Sequence, residues 1–340
     1  MTCFKTFKTA VIVFVTFLAA EGTAAHELSD EESSDAFELW QQPEDSSMED
    51  YIDSLIRGYS KTGEDPWLEA LEVAVSNGEF MHPQDSLFYQ AWLAQATHDF
   101  TAARQLVDQL TNRYPNHTGG WLLSVSIAKT QADLDLADQG CTQLSARASM
   151  EIGLICKANL VTDLKQSERW LELLDNFLPR LANPELAAWG YATAADLAVT
   201  LNRYDQAEDY FKHSLSHIER QQVKVAYTDL LIEQQRFEEA MVVVQEHSTS
   251  PAIVLRHLII ETALGIADKT EIRETDQLFR SWATDEDFQH AREMAMFYLY
   301  VIPDNKLALH LAQKNYQFQK EPEDAHLLEQ AQLAWQSTNG

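Results

Sequence analysis

The 340-residue chain carries 53 acidic and 25 basic side chains, which gives a formal net charge of −28. Binding to nucleic acids or anionic membranes needs an excess of Lys and Arg, so this charge argues against both and favours basic or neutral partners. The content of 45% hydrophobic residues with only 11 Gly and 9 Pro favours a large helical body.

The first 25 residues have the pattern of a secretory signal peptide. Lys5 and Lys8 precede an apolar run over residues 9–20, and small residues at 23–25 form a cleavage site. The run is shorter than a membrane-spanning helix requires. We therefore predict cleavage after Ala25 and a periplasmic or secreted mature protein that is not integral to a membrane. An uncleaved anchor is the alternative.

Residues 26–50 form a strongly acidic segment. It contains ten carboxylates, no Lys or Arg, and few large apolar residues, so it is predicted to be flexible. Cleavage after Ala25 would make His26 the N-terminus, where a histidine is able to chelate copper. A coincidence within a flexible tail is the plainer interpretation.

A helical hairpin is predicted most clearly over residues 188–216. Apolar residues recur there at every third or fourth position, stop at Asn202, and resume from Tyr204. This spacing is typical of two amphipathic helices joined by a short turn. Two such helices are unable to bury their apolar faces alone, so further copies are expected to stack on them.

Two columns of small residues mark those copies, because a small side chain allows the helices of a hairpin to approach where they cross. The first column has spacings of 33 to 37 residues, and only its fourth member is large. Its members are Ala70, Ala103, Ala137, Trp170, Ala207, Ala240, Thr275 and Ala308. The second column lies twelve residues earlier and comprises Gly58, Ala91, Val125, Ala158, Ala195, Thr228, Ala263 and Met296.

The motif Tyr204-x-x-Ala207-x-x-x-Phe211 and its period resemble the second half of a tetratricopeptide (TPR) unit. The resemblance implies an all-α fold, a right-handed α-solenoid of about eight TPR-like helix hairpins with a C-terminal capping helix. The repeats are expected over residues 51–322, and the capping helix and tail over 323–340. A helical bundle with accidental spacing is the alternative.

The sequence contains no recognisable catalytic motif. A P-loop, a dinucleotide fingerprint, HExxH, GxSxG and CxxC are all missing, so neither an enzyme nor a cofactor is predicted. His213 and His217 are four residues apart on a helix, which would suit two metal ligands. Without a third ligand, two exposed histidines are the simpler interpretation, and no metal site is predicted.

Two cysteines, Cys141 and Cys156, follow the predicted signal peptide. In the TPR register they lie on the second helix of one unit and the first helix of the next, which are neighbours in such a stack. A disulfide across this seam is predicted, since export leads to an oxidising compartment. Two buried free thiols remain the alternative.

The first helix of each unit lines the concave side of a TPR solenoid, so the register also predicts a partner-binding groove. The groove is expected to be aromatic and acidic, with Trp92, Asp196 and Asp229 as its strongest candidates. Its predicted members are Tyr59, Phe88, Trp92, Asn159, Trp189, Asp196, Asp229, Glu233, His290, Glu293, Phe297 and Tyr300. Aromatic side chains supply contact area and carboxylates select charge, which suits an extended segment with Lys or Arg and an apolar anchor.

These features predict an exported scaffold that binds a protein or peptide in its concave groove. An alternative is an accessory protein for metal-ion handling or transport that uses the acidic tail and the histidines. A structural subunit of an envelope assembly, which makes its contacts through its edges, is a third possibility.

Overall fold

The computed structural model of the protein describes residues 46–244, 248–284 and 289–339. Within these ranges it contains seventeen α-helices, one short 3-10 turn and no strands. None of the described helices has both the length and the apolar character needed to cross a membrane. The predicted signal peptide and most of the predicted acidic segment lie outside the described residues.

The helices follow one another with short connections. They are α1 (Met48–Thr62), α2 (Asp65–Asn77), α3 (Pro83–Ala96), α4 (Phe100–Arg113), α5 (Thr118–Thr130), α6 (Leu134–Arg147), α7 (Met150–Asn159), α8 (Leu164–Phe177), α9 (Pro184–Thr200), α10 (Tyr204–His217), α11 (Gln221–Glu233), α12 (Phe237–Val243), α13 (Pro251–Leu264), α14 (Lys269–Thr284), α15 (Ala291–Tyr300), α16 (Asn305–Phe318) and α17 (Pro322–Asn339). Successive pairs from α1–α2 to α11–α12, together with α15–α16, pack as seven hairpin units, and α17 packs on α15 and α16. α13 and α14 occupy the position of an eighth unit without packing closely on each other. The predicted all-α solenoid is confirmed.

The turns inside the hairpins repeat the same backbone conformation. His98, Ala132, Asn202 and Gln235 all have φ between 58° and 62°, and each lies two residues before the second helix of its unit. A single residue in the left-handed region reverses the chain after one helix and aims it into the next. The repetition of this strained conformation in four units supports the repeat register independently of packing.

Burial confirms most of the small-residue register and corrects it in two units. Six of the eight residues in the first column have 0% exposure, namely Ala70, Ala103, Ala137, Ala207, Ala240 and Ala308. On α8 the buried small residue is Ser167 rather than Trp170, which lies half-buried three positions later. Ala263 is exposed at the end of α13 instead of packing inside its hairpin.

The unit that contains α13 and α14 is the least regular. Thr275 and Phe279 are the buried residues of α14. Phe279 packs edge-to-face on Phe297 of α15, with ring centroids 5.3 Å apart. The hydroxyl of Tyr298 donates a hydrogen bond to Oδ1 of Asp276 at 2.9 Å. α14 is therefore attached to the following unit, which explains why Ala263 is left without a crossing partner.

The solenoid curves so tightly that its first unit reaches the later ones. A Cβ built on Gly63, which follows α1, would lie 2.1 Å from Oε1 of Gln221 at the start of α11. Nζ of Lys61 lies 3.8 Å from Oε2 of Glu219. Nε2 of His290, just before α15, lies 3.7 Å from Oδ1 of Asp65. The first helices thus surround a closed interior rather than an open trough.

Candidate binding site in the superhelix interior

The inner surface is built from side chains that connect each first helix to the next. Tyr59 on α1 meets Trp92 on α3 in an edge-on contact, with ring centroids 6.1 Å apart. Nε2 of Gln95 donates a hydrogen bond to Oγ of Ser126 on α5 at 2.7 Å. Because consecutive units crowd against one another here, Trp92 is completely buried, and in this conformation a partner is unable to reach it.

The same connection continues through polar groups in the middle of the solenoid. Nζ of Lys129, at the end of α5, donates to Oδ1 of Asn159 on α7 at 3.1 Å. Nδ2 of Asn159 lies 3.4 Å from Oγ1 of Thr193 on α9. The side chain of Asn159, predicted as part of the groove, is therefore held in place by both neighbouring units.

A buried ion pair links α11 with α13. Nε and Nη2 of Arg256 donate to the two carboxylate oxygens of Asp229 at 2.9 and 2.7 Å, and Arg256 is only 3% exposed. Burial acts to lower the pKa of Arg256, but the charges of Asp229 and of Glu293, 3.8 Å away, outweigh it and leave the pKa raised. Asp229 thus neutralises an internal cation, and both of its carboxylate oxygens are engaged in this conformation.

Residues 319–323, which comprise the connection between α16 and α17 and the first two residues of α17, cross the interior against α5. We call them the interior segment. The backbone N–H of Lys320 donates to the carbonyl oxygen of Thr130 at 2.8 Å. Nζ of Lys129 lies 3.7 Å from Oε1 of Glu321, whose side chain is 1% exposed. Nε2 of Gln319 lies 3.3 Å from Nε2 of His98.

Asp324 fixes the end of the interior segment. Its Oδ1 accepts hydrogen bonds from Nη2 of Arg292 and Nδ2 of Asn315, both at 2.6 Å. Its Oδ2 accepts from the backbone N–H of Glu321 at 3.0 Å. These bonds satisfy the charge of Asp324, which is only 1% exposed, and tie α15, α16 and α17 to one another.

The interior segment separates two cavities. The first cavity has a volume of about 180 Å³ and is lined by α1, α3, α11, α13, α15 and α17. The second cavity, of about 310 Å³, lies between α5, α7, α9 and the interior segment, and we call it the α9 pocket. Glu323 lines both cavities.

Burial shifts the titration of several interior groups. Burial is the main cause that raises the pKa values of Glu321 and Glu323. The charge of Asp324 also raises the pKa of Glu321, and the charge of Glu321 also raises the pKa of Glu323. The pKa of Tyr59 is also raised by burial and by the charges of Asp65 and Glu293. Burial and the nearby His290 lower the pKa of His98 to about 4. The interior therefore disfavours charge that has no partner.

The structure brings half of the predicted groove residues to the two cavities and buries most of the others. Tyr59, Asp229, His290 and Glu293 line the smaller cavity, and Asn159 and Asp196 line the α9 pocket. Four aromatic members pack between helices with at most 9% exposure, namely Phe88, Trp92, Trp189 and Phe297. Tyr300 is half-buried. Burial raises its pKa, and the charges of Asp229 and Glu233 raise it further.

The prediction from sequence missed the interior segment altogether. Gln319, Glu321 and Glu323 belong to the surface that the register assigned to first helices alone. The acidic run around Pro322 resembles an ordinary helix start, and a local pattern gives no sign that it folds inward.

The two cysteines lie at disulfide distance. Cys141 on α6 and Cys156 on α7 have Cα atoms 5.5 Å apart and sulfurs at 1.98 Å. Both side chains are completely buried. The pair crosses the seam between the third and fourth units, where the register placed it.

No metal site is found in the described part of the chain. The structure there contains no group of three or more His, Cys, Asp or Glu residues able to hold an ion. The ring of Tyr191 stacks on His213 and His217, at centroid distances of 5.1 and 5.7 Å. His26 and residues 27–45 of the predicted acidic segment lie outside the described residues.

Comparison with known proteins identifies the type of fold. No protein-family model matches the chain, and no curated protein is detectably similar in sequence. A Rap protein solved in complex with competence and sporulation factor is 15% identical, covers 86% of this chain and 91% of its own, and has a TM-score of 0.52. A tetratricopeptide repeat protein from Parabacteroides merdae is 13% identical, covers 84% of this chain and 96% of its own, and has a TM-score of 0.40. The chain is a TPR-like helical solenoid.

Proposed function

We propose that this protein is an exported, non-catalytic scaffold that binds a basic or neutral segment of a partner in the interior of its superhelix. The observation that carries the proposal is the convergence of predicted groove residues on two interior cavities. Tyr59, Asn159 and Asp196 belong to three different units, yet each lines one of these cavities. Solenoids bind extended ligands on such concave surfaces.

The charge of the interior favours a basic ligand group. Asp196, Glu321 and Glu323 line the α9 pocket, and its cations are Lys129 and the exposed Lys320. Lys129 is already engaged by Asn159 and Glu321. A ligand carboxylate would add to the existing negative charge, whereas Lys or Arg would offset it.

The size of the cavities limits what is held in the closed conformation. A cavity of about 310 Å³ lies at the lower end of volumes that enclose small ligands. It accommodates one or two side chains rather than a complete extended segment. We infer that a longer segment binds by displacing residues 319–323 or by entering from the rim.

Export is supported by the signal-peptide pattern and by the cysteine pair at disulfide distance. Disulfides persist in oxidising compartments and are rare in the cytosol. The proposal for the location therefore rests on the sequence and on this pair together.

Selection from a random peptide library displayed on phage tests the proposal. Enriched peptides are expected to contain Lys or Arg next to apolar residues. Asp196→Asn should weaken the selected peptides by about tenfold, the effect of one hydrogen bond to a charged group. Asp209→Asn is the matched control, because Asp209 is exposed on α10. Acidic consensus peptides, or equal binding to both variants, would contradict the proposal.

A further inference from the structure

The α9 pocket opens to solvent at one end and is closed at the other. Its mouth includes Leu134, which is 45% exposed, together with the exposed Thr162 and Lys320. Its inner end includes Ala158 and Thr193, both at 1% exposure. A small group is thus able to enter from solvent and reach buried side chains.

Glu323 lies at the inner end of the α9 pocket, and no other described residue forms a hydrogen bond with its carboxyl group. Its exposure is 8%, and neither carboxylate oxygen accepts a hydrogen bond from another residue among those described. Two cations that act on it electrostatically are paired with other carboxylates, Lys129 with Glu321 and Arg292 with Asp324. Placing a carboxylate without a partner in such a site is costly, so the group remains protonated or takes a cation.

The titration of Glu323 agrees with this arrangement. Its pKa lies well above the ordinary value because of burial and the neighbouring Glu321. Arg292, its own backbone N–H and Lys129 act in the opposite direction and only reduce the shift. A cation from outside would lower the pKa further and stabilise the charged form.

The remaining walls indicate which kind of cation fits. Leu197 and Val199 supply a buried apolar wall, with 2% and 6% exposure, and Leu160 and Val161 extend it. The carboxylate of Asp196 and the hydroxyl of Thr193 add acceptors. An ammonium group donates three hydrogen bonds, while an attached alkyl chain gains from apolar contact.

We propose that the α9 pocket binds an alkylammonium group, with Glu323 as its buried counter-ion and the wall of Leu197 and Val199 against its alkyl chain. The group comes from a free aliphatic amine or from the lysine side chain of a bound segment. Only the second source rests on the proposed function. No bond is made or broken.

Titration calorimetry at neutral pH with n-pentylamine as the probe tests this inference. Saturable binding is expected, and n-pentanol, which has the same shape without the charge, should not bind. Glu323→Gln should weaken pentylamine binding roughly tenfold to a hundredfold, as expected for loss of a charged hydrogen-bond partner. Because this change replaces a buried carboxyl that no other described residue satisfies with a neutral amide of the same shape, the variant should fold at least as stably as the native protein.

Glu172→Gln is the matched control, since Glu172 is exposed on α8 and the charge change is the same. Absence of saturable pentylamine binding, equal binding of pentanol, or equal loss in both variants would overturn the inference. If Glu323→Gln fails to fold, the comparison of pentylamine with pentanol on the native protein still tests whether the pocket binds an alkylammonium group.

A second arm separates the two sources. The tripeptide acetyl-Ala-Lys-Ala-amide is compared with its norleucine counterpart. Lysine-dependent binding that needs Glu323 assigns the group to a peptide, whereas binding of pentylamine alone assigns it to a free amine. Peptides selected without lysine dependence, together with no pentylamine binding, would leave the proposed function standing and remove this inference. Pentylamine binding without any selected peptide would support this inference and contradict the proposed function.

Discussion

Lys129 and Glu321 face each other across the interior of the superhelix, with Nζ and Oε1 3.7 Å apart. Lys129 lies in the last turn of α5, in the third unit, and Glu321 lies between α16 and α17. Their side chains are 13% and 1% exposed. This contact connects two parts of the chain that no repeat-to-repeat packing would join, and it holds the interior segment in place.

We expect Lys129→Met to be strongly destabilising, because it leaves Glu321 buried without its nearest cation. The free energy of unfolding, measured in urea, should fall by about 3 kcal/mol. The deficit should shrink in acid, where Glu321 is neutral. Lys157→Met is the control, since Lys157 forms a surface pair with Asp138 at 2.5 Å and should cost less than about 1 kcal/mol. Similar losses in both variants would refute the role of the contact.

The close approach of the first unit to α11 favours a glycine at position 63. Gly63 and Gly265 both end helices with positive φ, 67° and 73°. A Cβ on Gly63 would meet the side chain of Gln221, but one on Gly265 would meet nothing within 4 Å. Gly265→Ala should therefore cost about 1 kcal/mol for backbone strain alone. Gly63→Ala should lower the free energy of unfolding, measured in urea, by more than this, because the Gln221 side chain, which donates a hydrogen bond to Oγ of Ser250, would have to move. Equal losses in the two variants would argue against a close approach at this contact.

Asp53 should make the first hairpin sensitive to pH. Its Oδ1 accepts a hydrogen bond from the hydroxyl of Tyr89 at 2.7 Å. Burial raises its pKa to about 7, with smaller contributions from the Tyr89 bond and Arg57, which lower it, and from Asp50 and Asp85, which raise it.

A raised carboxyl pKa in the folded state favours the protonated form. The stability that Asp53 contributes is then complete below its unfolded pKa near 4 and is lost as pH rises through about 7. Asp53→Asn should abolish this part of the pH dependence, which is on the order of 2–4 kcal/mol, and should stabilise the protein above neutral pH. Thermal unfolding of both proteins across this pH range measures the change in stability. A variant with the native pH profile would contradict the assignment.

The cysteine pair predicts a thiol count and a stability change. In full-length protein unfolded without reductant, only Cys3 should react with a thiol reagent. Two further reactive thiols would exclude the bridge between Cys141 and Cys156. Since the bridge closes a loop of 15 residues, its reduction should lower the free energy of unfolding by about 3 kcal/mol. The double Ser variant should match the reduced protein.

The repeat register was predictable because it depends on local packing. A small residue such as Ala207 is needed wherever two helices of a hairpin cross, so its spacing is visible in the sequence. At Trp170 and Ala263 this logic fails, because α8 uses Ser167 instead and α14 is attached to the following unit. Residue spacing alone does not predict local irregularities of this kind.

The composition of the binding surface was only partly predictable. The register placed Asp196 and Asn159 on the inner face, and they line the α9 pocket. It failed to foresee that the tight curvature would bury Trp92 against Tyr59. Nor did it place Glu323 inside, because that depends on contacts between residues far apart in the chain.

Hydrogen–deuterium exchange of the protein with a selected peptide tests most directly the claim that the interior is the binding site. Protection is expected at the first helices around the two cavities, α5, α7 and α9 above all, and at residues 319–323 if they are retained. A peptide that displaces the interior segment should instead increase exchange at 319–323 while protecting α5. Protection confined to the second helices, with no change at α5, α7, α9 or 319–323, would contradict the account.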